Sequence, residues 1–454
     1  MNKVKIIASV NPSNYNKSLV KTMVLDGANV IRLDMSVCDY DFCEKVINEV
    51  NLINKKNKQK IGLMLDLEGP VLKTLEFAGG SASFKTGDMI RLYEKELIGN
   101  NYYFSINYDN FISEINMHDI IKLSDGLVIL EVAGKGLDYL ILKVIKGGIV
   151  YSYSKVFLSN VKLDRKYLNK QNYEDLMFAS RMGIDYVSLS NIVSIYDLLE
   201  INDLLINLKN NNIVLLVKVQ NSLILDEIDR MIKYCDGIIL SRGEMALDIP
   251  IEDIPSIKSK IIRKCLENGK LCIASSSLDR VNYSEVSDLA SLVLEGVDGI
   301  MITSNNLAEV NKIILASEEN IDYESFFNKA LKKRSEGISG TICYNVVLGA
   351  IELGVKAIIV ITNSGYTARM ISSLRPPCYI MAVCPLEEIV KSLSINFGVI
   401  SFSINLSDFD KVCDEAIGEC LKILNLSEKD KVIITGGYPF GKVRHTNFMR
   451  IEEI

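Results

Sequence analysis

Short apolar runs recur along the first 300 or so residues, and their length and spacing decide the fold class. The runs are KIIASV, NVIRLDM, IGLMLDL, YVSLS, IVLLVKV, DGIILS, LCIASS and GIMITS. Each is short, apolar and rich in Ile, Val and Leu, as strands buried on both faces are. All but one lead into a stretch with helical spacing. Eight such units are what a (β/α)8 TIM barrel requires, and a barrel carries its active site where its strands end. The residues at those ends are Asp34 and Ser36, Asp66, Ser188 and Ser190, Lys218, Ser241 to Glu244, and Ser275. Lys218, closing IVLLVKV, is the centre of that set.

The pattern is interrupted once. Helices are expected over 16–26 and 39–56, but none follows the third run. Residues 75–158 read instead as alternating strands broken by Gly-Asp, Ser-Asp-Gly and Gly-Gly signals, as in SFKTGDMIRLYE and DIIKLSDGLVILEVAG. A helix over 170–182 then restores the barrel rhythm. The expected architecture is a barrel of 1–74 and 159–322 with a small β-barrel lid domain of 75–158 inserted at the third strand exit. Hung over the barrel mouth, such a lid can exclude water. From 323 to 454 the pattern becomes an open, doubly wound α/β domain. Its two glycine-bearing strand exits, TNSGYT and TGGYPFG, are expected to lie close together, with Tyr438 to Gly441 and Arg444 opposing the first.

Composition removes several classes of function. A net charge of −6 leaves no basic footprint for nucleic acid. No apolar run reaches the ~18 to 20 residues that a membrane helix needs, and MNKVKIIASV runs straight into a strand pattern, with no signal peptide apparent. The ten cysteines are scattered without a C-x-x-C pair, as reduced core thiols of a cytoplasmic protein are. With only His118 and His445 available, a Ser-His or Cys-His hydrolase and a His-rich metal site are poorly supported.

Seven local motifs, in order, resemble the pyruvate kinase family, and the resemblance covers nearly the whole chain. KIIASVNPSN resembles TKIVxTIGPxS, NVIRLDMS resembles NVxRLNFSH, and LDLEGPVLKT resembles LDTKGPEIRT. LSDGLVILEV is similar to the DDGLI lid strand, and LLVKVQN to the SKIEN lysine motif. DGIILSRGEMALDIP matches DGIMVARGDLGxEIP at length, and ITNSGYTARMISSLRP matches TxSGxTAxxISxxRP.

The resemblance implies roles for individual residues. Lys218 corresponds to the lysine that stabilises the enolate oxygen and the phosphoryl group in transfer, against the plainer reading of a lysine snorkelling at a strand end. Arg32 corresponds to a phosphate-binding arginine, with a barrel-rim ion pair as the structural alternative. Lys73 stands where the family has a second phosphate-contacting arginine, keeping charge but losing the bidentate fork. Ser188 looks like a serine near the same phosphate, and an ordinary strand-end serine fits it equally. Gly243 and Glu244 open a turn that suits the substrate carboxylate, and Glu244 corresponds to an acidic ligand of Mg2+ or Mn2+. Gln220 replaces the family's other metal-binding glutamate, which removes a full negative charge. Asp34, Ser36 and Asp66 fall on the family's K+ site, while Val71 replaces the acid linked to potassium use. Ser275 keeps the hydroxyl of a threonine associated with proton delivery to the enolate. Thr362, Asn363, Ser364, Gly365, Tyr366 and Thr367 match a loop that holds sugar-phosphate or nucleotide effectors.

The function this implies is that of a glycolytic pyruvate kinase acting on phosphoenolpyruvate and ADP, organised as a homotetramer. Gln220 and the altered loops ASSSLDR, TSNN and Tyr153-Ser154-Lys155 motivate an alternative, a weakened or inactive paralogue with a regulatory or structural role. A Schiff-base lyase using Lys218 is the third reading, and the motif set does not fit it.

Overall fold

The computed structural model describes the chain except for residues 160, 162, 164, 211, 277, 279–280, 332–336, 405–408 and 440–444. The eight apolar runs close into one parallel barrel. Its strands, in chain order, are Lys5–Val10, Ala28–Asp34, Gly62–Leu67, Tyr186–Leu189, Val214–Val219, Gly237–Leu240, Leu271–Ser276 and Gly299–Ile302. The first strand pairs with both the second and the last, which completes the ring.

Both faces of these strands are buried. Ile7, Val30, Met64, Tyr186, Leu216, Ile239, Ile273 and Met301 fill the barrel interior. Their chain neighbours, such as Ile6, Ile31, Leu65, Val187 and Val217, face the helical ring. A strand turns successive side chains to opposite sides, so the residues two positions beyond the interior layer point into the mouth. That rule alone delivers Ser9, Arg32, Asp66, Ser188, Lys218, Ser241 and Ser275 to one end of the barrel.

The insertion forms a seven-stranded sheet and a two-stranded pair around a core of its own, including Phe77, Phe84, Phe104, Leu130 and Leu142. It reaches back to the barrel at its hairpin Ile120–Leu123/Val128–Lys135, where Lys122 Nζ donates to the Leu247 carbonyl. The C-terminal sheet runs in the order Val399–Ser403, Tyr379–Cys384, Ala357–Ile361, Lys431–Gly436, Phe448–Glu453, with only the last strand antiparallel. Helix Ile338–Leu353 covers one face through Val346, Val347 and Ala350, and helix Phe409–Leu424 covers the other through Val412, Ala416 and Cys420.

The C-terminal domain seals the floor of the barrel. Ile395 enters the interior layer beside Tyr186. The Tyr186 hydroxyl donates to the Lys391 carbonyl at 3.0 Å and accepts from the Ile395 amide at 3.2 Å. Nearby, Arg375 pairs with Asp298 at 2.9 Å with both side chains buried, and its guanidinium lies 4.7 Å from the Phe397 ring. Tyr186→Phe keeps the ring but takes the acceptor from the buried Ile395 N–H, while the Lys391 carbonyl keeps the Ser394 amide. It is expected to cost about 1–3 kcal/mol, read as a lower urea midpoint; an unchanged midpoint would show that the floor is held by packing alone.

Candidate active site

Asp66 is the middle of the mouth. It is 1% exposed and sits between Arg32 on the adjacent second strand and Lys218 on the fifth strand, one strand further on its other side. Lys218 Nζ lies 2.9 Å from Asp66 Oδ2, and Arg32 Nε donates to the same oxygen at 2.6 Å. Arg32 also binds Asp34 Oδ2 at 2.7 Å and the Ser9 hydroxyl at 3.0 Å. Asp34 in turn accepts from the Ser36 amide and hydroxyl at 3.0 and 2.7 Å. Burial by itself would raise the Asp66 pKa, but the charges and hydrogen bonds of Arg32 and Lys218 hold it well below the usual carboxylate range. Burial likewise works against the charged form of Arg32, and Asp66 and Asp34 outweigh it. The predicted potassium ligands Asp34, Ser36 and Asp66 are thus brought together, with the Arg32 guanidinium bridging the two acids.

Ser190 completes the ring by donating to Asp66 Oδ1 at 3.3 Å. Ser188, paired in register with Asp66, is wholly buried and its hydroxyl has no partner among the described residues. Ser275 lies across the mouth and donates to the Leu240 carbonyl at 3.1 Å.

Gln220 and Glu244 meet directly. Gln220 Nε2 donates to Glu244 Oε2 at 2.8 Å, while Gln220 Oε1 accepts from the Asn191 amide at 2.5 Å. Glu244 and Gly243 occupy the first turn of the short helix Arg242–Asp248. Two carboxylates at these positions would repel and call for a cation. An amide facing a carboxylate does not, and turning the amide over would set its N–H against the Asn191 N–H. Among the described residues no group of three or more His, Cys, Asp or Glu is placed to hold a metal ion. With the Gln220 amide donating to Glu244 and its oxygen taken by Asn191, the pair fits a divalent cation poorly.

Lys73 lies on the lid side of the mouth, in register with Lys155, and pairs with Glu68 at 2.9 Å. Its charge is partly answered before any ligand arrives. The effector-loop residues lie far along the chain in the C-terminal domain. Gly365 has φ +77°, a left-handed conformation that favours glycine, and its amide donates to the Thr362 hydroxyl at 3.0 Å. The Ser364 carbonyl accepts from Arg369 at 2.8 Å, and Tyr366 opens the helix Tyr366–Ser373. Asn363 offers its carbonyl to the Cys384 thiol. The Thr367 hydroxyl meets that of Thr446 at 2.7 Å, and the strands leading into the two glycine-bearing exits lie side by side, with Ile361 opposite Gly436. Gly441 and Arg444 of the expected opposing loop lie outside the described residues.

Two residues of the site carried no signal in the sequence. Arg165 and Tyr167 lie in the irregular return from the lid to helix Lys170–Met182. Both line a cavity of about 130 Å3 between lid and barrel, together with Lys155, Asn191, Gln220 and Glu244. The local feature is a basic pair followed by an aromatic, Arg165-Lys166-Tyr167, without periodicity or a matched motif to support it.

A family model described as "Pyruvate kinase, barrel domain" matches residues 1–310, and one described as "Pyruvate kinase, alpha/beta domain" matches residues 340–452. A pyruvate kinase of Sporosarcina psychrophila is 30% identical over 475 residues, covering 100% of this chain and 81% of that protein. One of Clostridium perfringens is 29% identical over 477 residues, covering 100% of both. The crystal structure of a pyruvate kinase from Cryptosporidium parvum matches with a TM-score of 0.92 at 23% identity, over 100% of this chain and 96% of that one, a likeness of fold.

The charge cluster gives a direct test. Because the folded pKa of Asp66 lies below its unfolded value, its stabilising contribution is complete above about pH 4 and is lost as pH falls through the folded value. Asp66→Asn leaves two buried cations underpaired and is expected to cost about 3–5 kcal/mol at pH 7. In urea titrations its deficit against the wild type should shrink below about pH 4; a deficit independent of pH would refute the pairing.

Proposed function

The chain belongs to the pyruvate kinase family, and on that premise we propose that it transfers the phosphoryl group of phosphoenolpyruvate to ADP, giving pyruvate and ATP in glycolysis. The observation that carries this reading is the buried Lys218–Asp66–Arg32 cluster at the mouth of a lidded barrel. Phosphoryl transfer asks the protein for positioning and for positive charge around the moving group, more than for covalent chemistry. Lys218 and Arg32 offer that charge from rigid strand ends, with Asp66 fixing both in direction. Lys73 holds the phosphate from the lid side. Ser188, beneath them, has a hydroxyl free to donate to a phosphate oxygen. Gly243 and Glu244 receive the carboxylate end, and Ser275 holds a proton near the enolate face. The lid, fastened through Lys122 to Leu247, keeps water out.

Family members use Mg2+ and K+, and when bound a divalent ion would neutralise charge on the phosphoryl oxygens. Glu244 is the one full carboxylate offered for it here, Gln220 being hydrogen-bonded on both sides of its amide. At the potassium position, the charges of Asp34 and Asp66 are already matched by Arg32 and Lys218. The loop Thr362–Thr367 is assigned to a sugar-phosphate or nucleotide effector, and the assembly to a homotetramer. No helix among the described residues is long and apolar enough to cross a membrane; the placement assigned is cytoplasmic, as befits a glycolytic enzyme.

A second reading is favoured by one observation, the Gln220–Glu244 hydrogen bond: a paralogue whose metal position has closed on itself and whose role is regulatory. A coupled assay with phosphoenolpyruvate, ADP and Mg2+ separates the two. Turnover within tenfold of about 10 s−1, the middle of the enzyme range, is expected for the kinase, and turnover a thousandfold lower for the paralogue. Gln220→Glu should lower the half-saturating Mg2+ concentration about tenfold or more by restoring a carboxylate; an unchanged Mg2+ dependence would remove Gln220 from the metal position. Replacing K+ by tetramethylammonium is expected to change the rate less than about twofold, since the local charge is already balanced. A large loss would put K+ back between Asp34 and Asp66.

A further inference from the structure

The cations that the sequence nominates for phosphate are engaged. Arg32 and Lys218 share Asp66, and Lys73 is paired with Glu68. Arg165 differs. Among the described residues no carboxylate forms a salt bridge with it. Its guanidinium carbon lies over the face of Tyr108, 5.8 Å from the ring centroid. The side chain is half-buried, and burial lowers its pKa, with Tyr108 and Glu114 acting in the other direction. An arginine withdrawn from water without a carboxylate on its fork is poised to take a planar or tetrahedral oxyanion.

Its position allows this. Arg165 lines both the cavity next to Gln220 and Glu244 and a wider cleft of about 810 Å3 on the other side of Pro70 and Val71. The wider cleft also carries Lys73 and Lys166. Two positions along, Tyr167 closes the floor of the first cavity. It is 1% exposed, and its hydroxyl has no hydrogen-bond partner among the described residues. Burial, and then the charges of Asp66, Asp197 and Asp175, keep that hydroxyl protonated and therefore a donor. Of the acids on the cavity walls, Glu244 accepts from Gln220, one oxygen of Asp248 accepts from the Ser222 amide and hydroxyl while the other has no partner among the described residues, and Asp175 across the wider cleft is met by Tyr40 and Gln171. Asp125 and Asp197 also line the first cavity.

We infer that Arg165 and Tyr167 form an oxyanion subsite at the junction of the two cavities, which takes a phosphoryl group of a bound substrate. The guanidinium supplies the charge and the fork, and the phenol supplies one further donor. The shared chemistry is a phosphate bearing at least two anionic oxygens. Phosphoenolpyruvate and the terminal phosphate of ADP are its two sources, an identification that rests on the phosphoryl-transfer reading.

Equilibrium binding of phosphoenolpyruvate, ADP and inorganic phosphate to the full chain, by calorimetry without turnover, tests the subsite separately from the reaction. Arg165→Ala is expected to weaken one substrate and inorganic phosphate about 10- to 100-fold, leaving the other substrate within about threefold. The affected substrate identifies the source. Tyr167→Phe, which preserves the packed ring, should weaken the same ligand about 2- to 10-fold. Arg165→Lys should recover part of the loss, as charge without a fork does. Unchanged binding of all three ligands by Arg165→Ala, or a wild type that binds none of them, overturns the subsite. A wild type without turnover whose phosphate binding still depends on Arg165 leaves the subsite standing and refutes the kinase reading alone.

Discussion

One carboxylate holding two cations is the constraint on which the site depends. Asp66 ends the third barrel strand, Arg32 projects from the second and Lys218 from the fifth, and all three meet in a volume almost closed to water. Register makes the meeting possible: Asp34 pairs with Asp66, Asp66 with Ser188, and Ser188 with Leu216. A slip of one residue in any of these pairings would turn the charged side chains outward into the helical layer. Isolated, either cation would be costly at this depth. The fold and the site are therefore specified together, because the apolar layer that closes the barrel fixes the register that brings the charges into contact.

That economy explains what was legible in the sequence. Strand runs buried on both faces identify themselves by composition, and the alternation of side chains then places Asp34, Asp66, Ser188 and Lys218 at the mouth without any knowledge of the structure. The interruption after the third strand was equally readable, since Gly-Asp and Gly-Gly turns at short intervals suit β structure and nothing else in the barrel. Pairing partners were not readable. Glu68 and Lys73 are five residues apart, and only the turn through Gly69 and Pro70 brings them to 2.9 Å; Gly69 has φ +69°, and a Cβ there would lie 2.1 Å from the Ser190 carbonyl oxygen. The loss of charge at Gln220 was visible as a substitution, whereas the direction of its hydrogen bonds depends on the Asn191 amide, supplied by the neighbouring strand exit. Arg165 and Tyr167 were missed for a different reason. They sit in a segment without regular period, where burial is set by the lid overhead and not by the local pattern.

The lid and the Gln220–Glu244 contact are mechanically linked. Helix Arg242–Asp248 carries Glu244 in its first turn and Leu247 near its end. The lid grips that helix at Leu247, through Lys122 from one strand and through the close approach of Gly126 to the Leu247 side chain. Glu244 and the lid's anchor at Leu247 thus belong to one helix of seven residues, while Gln220 follows a barrel strand. The lid contact and the carboxylate at the mouth are carried by the same element.

Charge accounting then sets what the site must do with a ligand. Arg32 and Lys218 are balanced by Asp34 and Asp66, and Lys73 by Glu68, so the mouth at rest has no net positive charge to offer from its deepest groups. A phosphoryl group carrying two negative charges must either draw Lys218 and Arg32 away from Asp66 or find cations that are not already paired. The first course is opposed by the depth at which Asp66 is buried, since a carboxylate left with one partner there loses interactions worth several kcal/mol. The second is open at the rim, where Lys155, Lys166 and Arg165 line the cavities without a carboxylate salt bridge among the described residues. Binding at the rim leaves Lys218 held by Asp66, so the deep cation is not committed to the resting ligand. A charge held back in this way is the kind of interaction that lowers a barrier instead of merely tightening a ground state.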